Sequence, residues 1–182
     1  MTNTIGFLEL NSIARGMEAA DAILKAAETR LIFAKASCPG KYYILFSGEV
    51  AAVQASMDAG AAIGGSHTVD SCVIPRVHPQ VFLAINQSSY PEEMAAVGVM
   101  EFFSVTAAVY AADAAAKAAD VTLLDVRLGT GIGGKSFVTM TGEVAAVSEA
   151  VKCGIETPSA QGMVVSSVVI PNPHRELLDS LL

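Results

Sequence analysis

With 182 residues, the chain has room for one ordinary domain or two small ones. Its formal net charge of −7 argues against non-specific nucleic-acid binding, which needs a basic surface. Charged residues make up 16% and hydrophobic residues 52%, against about 25% charged in an ordinary soluble domain, so much of the surface reads as interface. No apolar run reaches the roughly 20 residues of a membrane-spanning helix; the Ala-rich stretch from Val105 is broken by Asp113 and Lys117.

Met-Thr-Asn-Thr leads directly into a strand pattern, Thr4 to Leu10, so no signal peptide is expected and the expected compartment is the cytoplasm. Cysteines there should be thiols or metal ligands, not disulfides. Ser12 can cap a helix, and Ile13, Met17, Ala20, Leu24 and Ala27 follow at helical spacing. Arg30 to Ala36 is strand-like. Cys38-Pro39-Gly40-Lys41 is a turn, because Pro fixes one dihedral and Gly frees the next. Tyr42 to Phe46, rich in aromatic and β-branched residues, predicts another strand. Gly48 ends it. Val50, Val53 and Met57 mark a second helix that Gly64-Gly65 stops. Val69 to Ile74 is a last strand, and a short helix can follow His78. A polar linker, 86–93, contains a Pro. Beyond it come a strand (Val97 to Phe103), a helix (Val105 to Ala119), two strands (Val121 to Leu128, Ser136 to Met140), a helix (Glu143 to Lys152) and a strand (Val164 to Ile170).

The second half repeats the first. Gly6, Glu9, Ser12, Asp21 and Lys25 recur as Gly98, Glu101, Ser104, Asp113 and Lys117, all 92 positions on. Lys41 and the run GEVAAV from Gly48 recur 94 positions on, at Lys135 and Gly142. VIPRVH from Val73 returns as VIPNPH from Val169, 96 positions on. Small insertions in loops account for the drift. The unit is far longer than a solenoid repeat. Each copy orders its elements β-α-β-β-α-β, the split βαβ arrangement of ferredoxin-like folds. The expected class is therefore α+β: two tandem domains, residues 1–85 and 94–182, each an antiparallel sheet with helices on one face. Domains this small bury a limited fraction of their surface and lean on each other or on other subunits.

Gly129 to Ser136 reads GTGIGGKS and satisfies the phosphate-loop pattern G-x-x-x-x-G-K-[ST]. That motif needs a helix directly after the glycines, whose N-terminus receives phosphate. Here Phe137-Val138-Thr139-Met140 follows, a strand signal, and its counterpart in the first copy is Tyr42 to Phe46. The segment therefore reads as a glycine-rich loop between strands, with a nucleotide-binding enzyme as a minor rival.

The repeat, the D-x-x-x-K-A-A helix segments, the glycine loop before a lysine-led strand and the V-I-P-x-x-H endings together resemble the bacterial microcompartment (BMC) shell domain. Two copies in one chain resemble the tandem-domain shell proteins. Cys38-Pro39-Gly40-Lys41 is similar to the iron–sulfur T-type members of propanediol-utilisation microcompartments. The resemblance spans Thr4 to about Leu178. It implies no catalytic residue and no enzyme, but a cytoplasmic shell component: a homotrimer acting as a pseudohexamer, tiling edge to edge with other BMC shell proteins. It implies that the loops between the middle strands line a central opening, here through Ser37, Pro39 and Gly40 and through Thr130, Gly131, Ile132 and Gly133. It places Lys25, Lys117 and Arg76 at the tile edge, although the second copy has Asn172 where the first has Arg76.

One cysteine cannot hold a cluster, but at a three-fold axis Cys38 would supply three thiolates. A cubane [4Fe–4S] cluster normally takes four Cys ligands, so one cluster per trimer would need a fourth, non-cysteine ligand. Ile132 stands where the first copy has Cys38, giving alternate Cys and Ile around the ring. The implied partner is then an encapsulated or cytosolic redox enzyme. Alternatives stay open: a reduced thiol lining a metabolite pore, or a ferredoxin-like regulatory trimer binding a small effector. Cys72 and Cys153 read as small packed residues. His78 and His174 follow strand exits and suggest helix caps or edge contacts, not metal ligands. Glu9 and Glu101 lie in strands and suggest structural contacts, not acid catalysis.

Overall fold

The computed structural model describes residues 4–89, 91 and 94–181. Of the expected 86–93 linker, Tyr90, Glu92 and Glu93 lie outside the described residues. The chain divides into two compact units: Met1–Val77 with Thr130–Gly134, and His78–Gly129 with Lys135–Leu182.

In the first unit β1 (Thr4–Leu10), β2 (Thr29–Ser37), β3 (Lys41–Gly48) and β4 (Thr68–Ile74) form one sheet in the order β2-β3-β1-β4. All three pairings are antiparallel. Between strands run α1 (Ile13–Ala26) and α2 (Val50–Gly64). Ser12 caps α1 as the sequence suggests, its hydroxyl accepting from the Arg15 N–H at 3.4 Å. Gly65, at φ +51°, closes α2. Strand alternation decides the two faces. Leu8, Leu10, Ile44 and Phe46 point toward the helices and pack with Ala19, Ala20, Ile23, Val53 and Met57. Each fully buried aliphatic side chain there contributes about 1.5–3 kcal/mol. Glycine at position 6 is dictated by this packing, since a Cβ there would drive into the Phe46 ring. The other face carries an aromatic cluster: Phe7 meets Tyr43 at 5.8 Å and Phe33 at 6.4 Å between ring centroids.

The second unit repeats the design with β5 (Ala96–Phe102), β6 (Thr122–Leu128), β7 (Ser136–Gly142) and β8 (Val164–Ile170), in the order β6-β7-β5-β8. Its pairings are again antiparallel. Ser104 caps the helix that follows β5 as Ser12 caps α1. Gly98 repeats Gly6: a Cβ would lie 2.7 Å from Val147. The short helix after His78, α3 (Pro79–Ile85), belongs to this unit, which also holds α4 (Val105–Ala118), α5 (Val144–Ile155) and α6 (Arg175–Asp179). The sequence ends the first domain at residue 85, whereas the contacts divide the chain after Val77. Hydrogen bonds give the reason. Gln80 donates to the Val121 carbonyl at 3.1 Å and accepts from the Leu123 N–H at 2.8 Å, pinning α3 to β6. The His78 N–H donates to Asp113 Oδ1 at 2.7 Å. No helix among the described residues is long and apolar enough to cross a membrane.

Candidate functional site

The turn between β2 and β3 is tight. Ser37 pairs with Lys41 across the strands, and the Gly40 N–H donates to the Ser37 carbonyl at 3.0 Å. Gly40 takes φ +86°, a left-handed conformation that suits glycine. The Cys38–Pro39 peptide is cis, and Cys38 is a free, exposed thiol.

The loop between β6 and β7 is longer. Tyr42 faces Ala36 across the first turn, and Ser136 faces Leu128 across the second. The second loop therefore encloses two extra residues, which is where the repeat offset steps from 92 to 94. The glycine string runs straight into β7, with no helix to receive a phosphate. Its Thr130–Gly134 segment packs with the first unit. The Thr130 hydroxyl lies 3.2 Å from that of Ser37. A Cβ on Gly134 would sit 2.7 Å from Pro39 Cδ and 3.1 Å from the Cys38 carbonyl oxygen. Only a glycine lets the backbone come this close behind the cysteine. Thr130, Gly131 and Gly133 are exposed, and Ile132 is partly buried.

Beneath the turn lies a charge pair. Lys41 Nζ is 2.5 Å from Glu9 Oε1, and the Glu9 side chain is fully buried. The second copy repeats it as Lys135 to Glu101, also 2.5 Å, but partly exposed. The expectation of a structural contact for both glutamates holds, with lysine as partner. Tyr43 sits opposite Glu9 in the register. Burial pushes its phenol up to about 12; the Glu9 carboxylate adds to this, the Ser37 hydroxyl offsets part of it, and Cys38 adds a smaller upward push. Phe137 stands in the matching place, with the Arg127 guanidinium 5.8 Å from its ring centroid. Neither Tyr43 nor the lysine–glutamate pairing is read from the sequence alone, although Glu and Lys recurring in both copies was the available signal.

The other candidates scatter. Lys25 bonds Asp21 at 2.6 Å on the exposed face of α1, and Lys117 bonds Asp113 at 2.5 Å with the aspartate buried. Arg76 is exposed at φ +51° just after β4. His78 and His174 are the N-caps of α3 and α6, and His174 Nδ1 accepts from the Glu176 N–H. Cys72 is buried. The Cys153 thiol is held above its ordinary pKa by burial and then by Glu149, 3.4 Å away. Among the described residues no group of three or more His, Cys, Asp or Glu could hold a metal within one chain. What the turn offers is one accessible thiol on a braced backbone.

A family model described as "BMC domain" matches twice, over residues 4–77 and 96–173. The chain is 42% identical over 177 residues to the bacterial microcompartment shell protein PduT of Citrobacter freundii, covering 97% of this chain and 96% of that one. It is 28% identical to the carboxysome assembly protein CcmO of Synechococcus elongatus, over 97% of this chain and 68% of that protein. A crystal structure of a microcompartments protein from Desulfitobacterium hafniense superposes with a TM-score of 0.88 at 49% identity, covering 98% and 99% of the two chains. The fused permuted hexameric shell protein MSM0275 of the RMM microcompartment matches at TM-score 0.63 and 25% identity, over 82% of this chain and 78% of that one.

Proposed function

The chain belongs to the BMC-domain family of bacterial microcompartment shell proteins and has a structural role in the shell; from that premise we propose that it is a redox-active tile. Three copies form a pseudohexamer, and one Cys38 from each holds a [4Fe–4S] cluster at the three-fold axis. The tile joins other shell proteins at its edges and exchanges electrons with an encapsulated or cytosolic redox enzyme.

The observation that carries this reading is the placement of Cys38. It is the exposed cysteine of the three, at the tip of a turn that Gly134 backs and Thr130 borders. The donor set fits the group: thiolates hold cubane clusters, and three chains supply three of the usual four. When bound, the cluster supplies one-electron chemistry. Pro39 and Gly40 keep the turn small, so that three could converge. Ile132 contributes an apolar neighbour that limits water, which is one lever on potential. Lys41 and Glu9 hold the base of the turn in place.

A second reading is a tile with an open pore for a metabolite and no cluster. The exposed Gly131 and Gly133 favour it, because without side chains they add no bulk to the loop. Iron and acid-labile sulfide, measured per trimer on protein purified without oxygen, separate the two. About four of each, with a charge-transfer band that reduction bleaches, is expected for the cubane. No iron after anaerobic reconstitution would overturn it and leave Cys38 as a pore thiol.

A further inference from the structure

Tyr43 lies on the sheet face beneath the Cys38 turn. Its register partners are Lys35 on β2 and Glu9 on β1. Ser37 and Lys41, paired one step nearer the turn, stand at the diagonal that a long side chain can span. The ring is fully buried and sits 5.8 Å from that of Phe7. Packing accounts for the ring but not for its hydroxyl. Among the described residues that hydroxyl has no well-aligned hydrogen-bond partner. The Ser37 hydroxyl lies 3.2 Å from Thr130, and Glu9 Oε1 is taken by Lys41. The phenol still senses its surroundings: burial first, then Glu9, Ser37 and Cys38.

A buried hydroxyl without a partner costs stability. The second copy shows that this cost is avoidable, because Phe137 fills the matching place. The copies differ again at the turn, Cys38 against Ile132. The hydroxyl is therefore present in the copy that has the sulfur and missing from the copy that lacks it. The lysine–glutamate pair recurs in both, so the base of the turn does not need a phenol.

We propose that the Tyr43 hydroxyl is a hydrogen-bond donor to the Cys38 sulfur when that sulfur is a thiolate, free or metal-bound. This rests on the cluster proposed above and names a residue that sets its potential. Tyr43 gives up no proton; with its pKa pushed up to about 12, the phenol keeps its hydrogen and stays a donor. When an electron arrives from the redox enzyme, negative charge on the ligating sulfurs grows, and a donor aimed at one of them favours the reduced state. Gly134, close behind the Cys38 carbonyl, limits how far the turn can move from the phenol.

The test uses full-length Tyr43→Phe, which removes the hydroxyl and keeps the ring; circular dichroism with thermal melting checks the fold. In metal-free protein, alkylation of Cys38 by iodoacetamide is followed by peptide mass spectrometry. The variant is expected to react about 2- to 3-fold more slowly, because less of its sulfur is thiolate. In protein reconstituted without oxygen, the balance between oxidised and reduced cluster is expected to shift about 2- to 10-fold toward oxidised, a potential about 20–60 mV lower at 59 mV per tenfold. Pulsed EPR of the reduced protein in D2O should lose one coupled deuteron. A potential that stays put with the deuteron retained would assign the phenol to Glu9 and overturn the proposal, as would an alkylation rate that is unchanged or faster. Wild type that takes up no iron overturns the cluster itself, and the alkylation rate then decides for or against the Tyr43 contact.

Discussion

Lys41 and Glu9 are joined by a 2.5 Å ion pair whose carboxylate is fully buried. The pair ties the first residue of β3 to β1 directly under the Cys38 turn. Removing the cation from a buried pair is costly, about 3–5 kcal/mol. The homologous pair Lys135 and Glu101 is partly exposed, and an exposed pair contributes less than about 1 kcal/mol. Urea unfolding should therefore show Lys41→Met losing several times more stability than Lys135→Met. Equal losses would mean that burial does not distinguish the two pairs.

Tyr43 predicts an alkaline limit. Its folded-state pKa is raised to about 12 from an ordinary 10.0. Between those values the unfolded chain releases a proton that the folded chain keeps. The associated stability is intact below pH 10 and is lost as pH rises toward about 12. At about 1.36 kcal/mol per unit the full loss is on the order of 3 kcal/mol. Tyr43→Phe should show a shallower fall in stability across that window, read from melting at stepped pH. Parallel curves would remove Tyr43 as the cause.

Gly134 and Gly133 form a controlled comparison. Both have positive φ, at +80° and +67°. A Cβ on Gly133 meets open space, whereas one on Gly134 meets the Cys38–Pro39 backbone. Each alanine bears the left-handed penalty of about 1–2 kcal/mol. Gly134→Ala adds overpacking of about 1–3 kcal/mol. Thermal melts should rank Gly134→Ala below Gly133→Ala, and Gly134→Ala should also lower iron incorporation by displacing the turn. Identical behaviour would show that the close approach does not constrain Cys38.

Cys38→Ser is expected to abolish iron binding without changing oligomeric mass. Cys153→Ala, on α5 away from the turn, is expected to keep full iron content. Iron retained in Cys38→Ser would move the ligand elsewhere.

The fold was legible because each copy checks the other. Ser12 and Ser104 announce two helix starts, and Gly6 and Gly98 recur at matching places in β1 and β5, where a Cβ would collide with Phe46 and with Val147. The strand after GTGIGGKS could be identified by its partner Tyr42–Phe46 even though the string imitates a phosphate loop. The location of α3 was not legible. A seven-residue helix with apolar Val81 and Ala84 carries an apolar face but no label for the sheet it covers. Gln80, which decides the matter by bonding the β6 backbone, looks like any polar surface residue in sequence. Tyr43 was hidden for a similar reason: a phenol in an aromatic strand reads as core, and its nearness to Glu9 and Ser37 emerges only from register. Cys38 was conspicuous, but nothing in the sequence showed Gly134 pressed against its carbonyl.

The two-residue difference between the loops has a consequence for composition. Identical domains arranged six-fold must present six identical edges to any opening, and a mixture of two separate domain types would sort at random. Covalent linkage removes that choice. In the pseudohexamer proposed above, every chain brings one short loop with a cysteine and one long loop with glycines, in fixed order, so a single translation product would enforce an alternating pattern that independent subunits reach only by selective pairing.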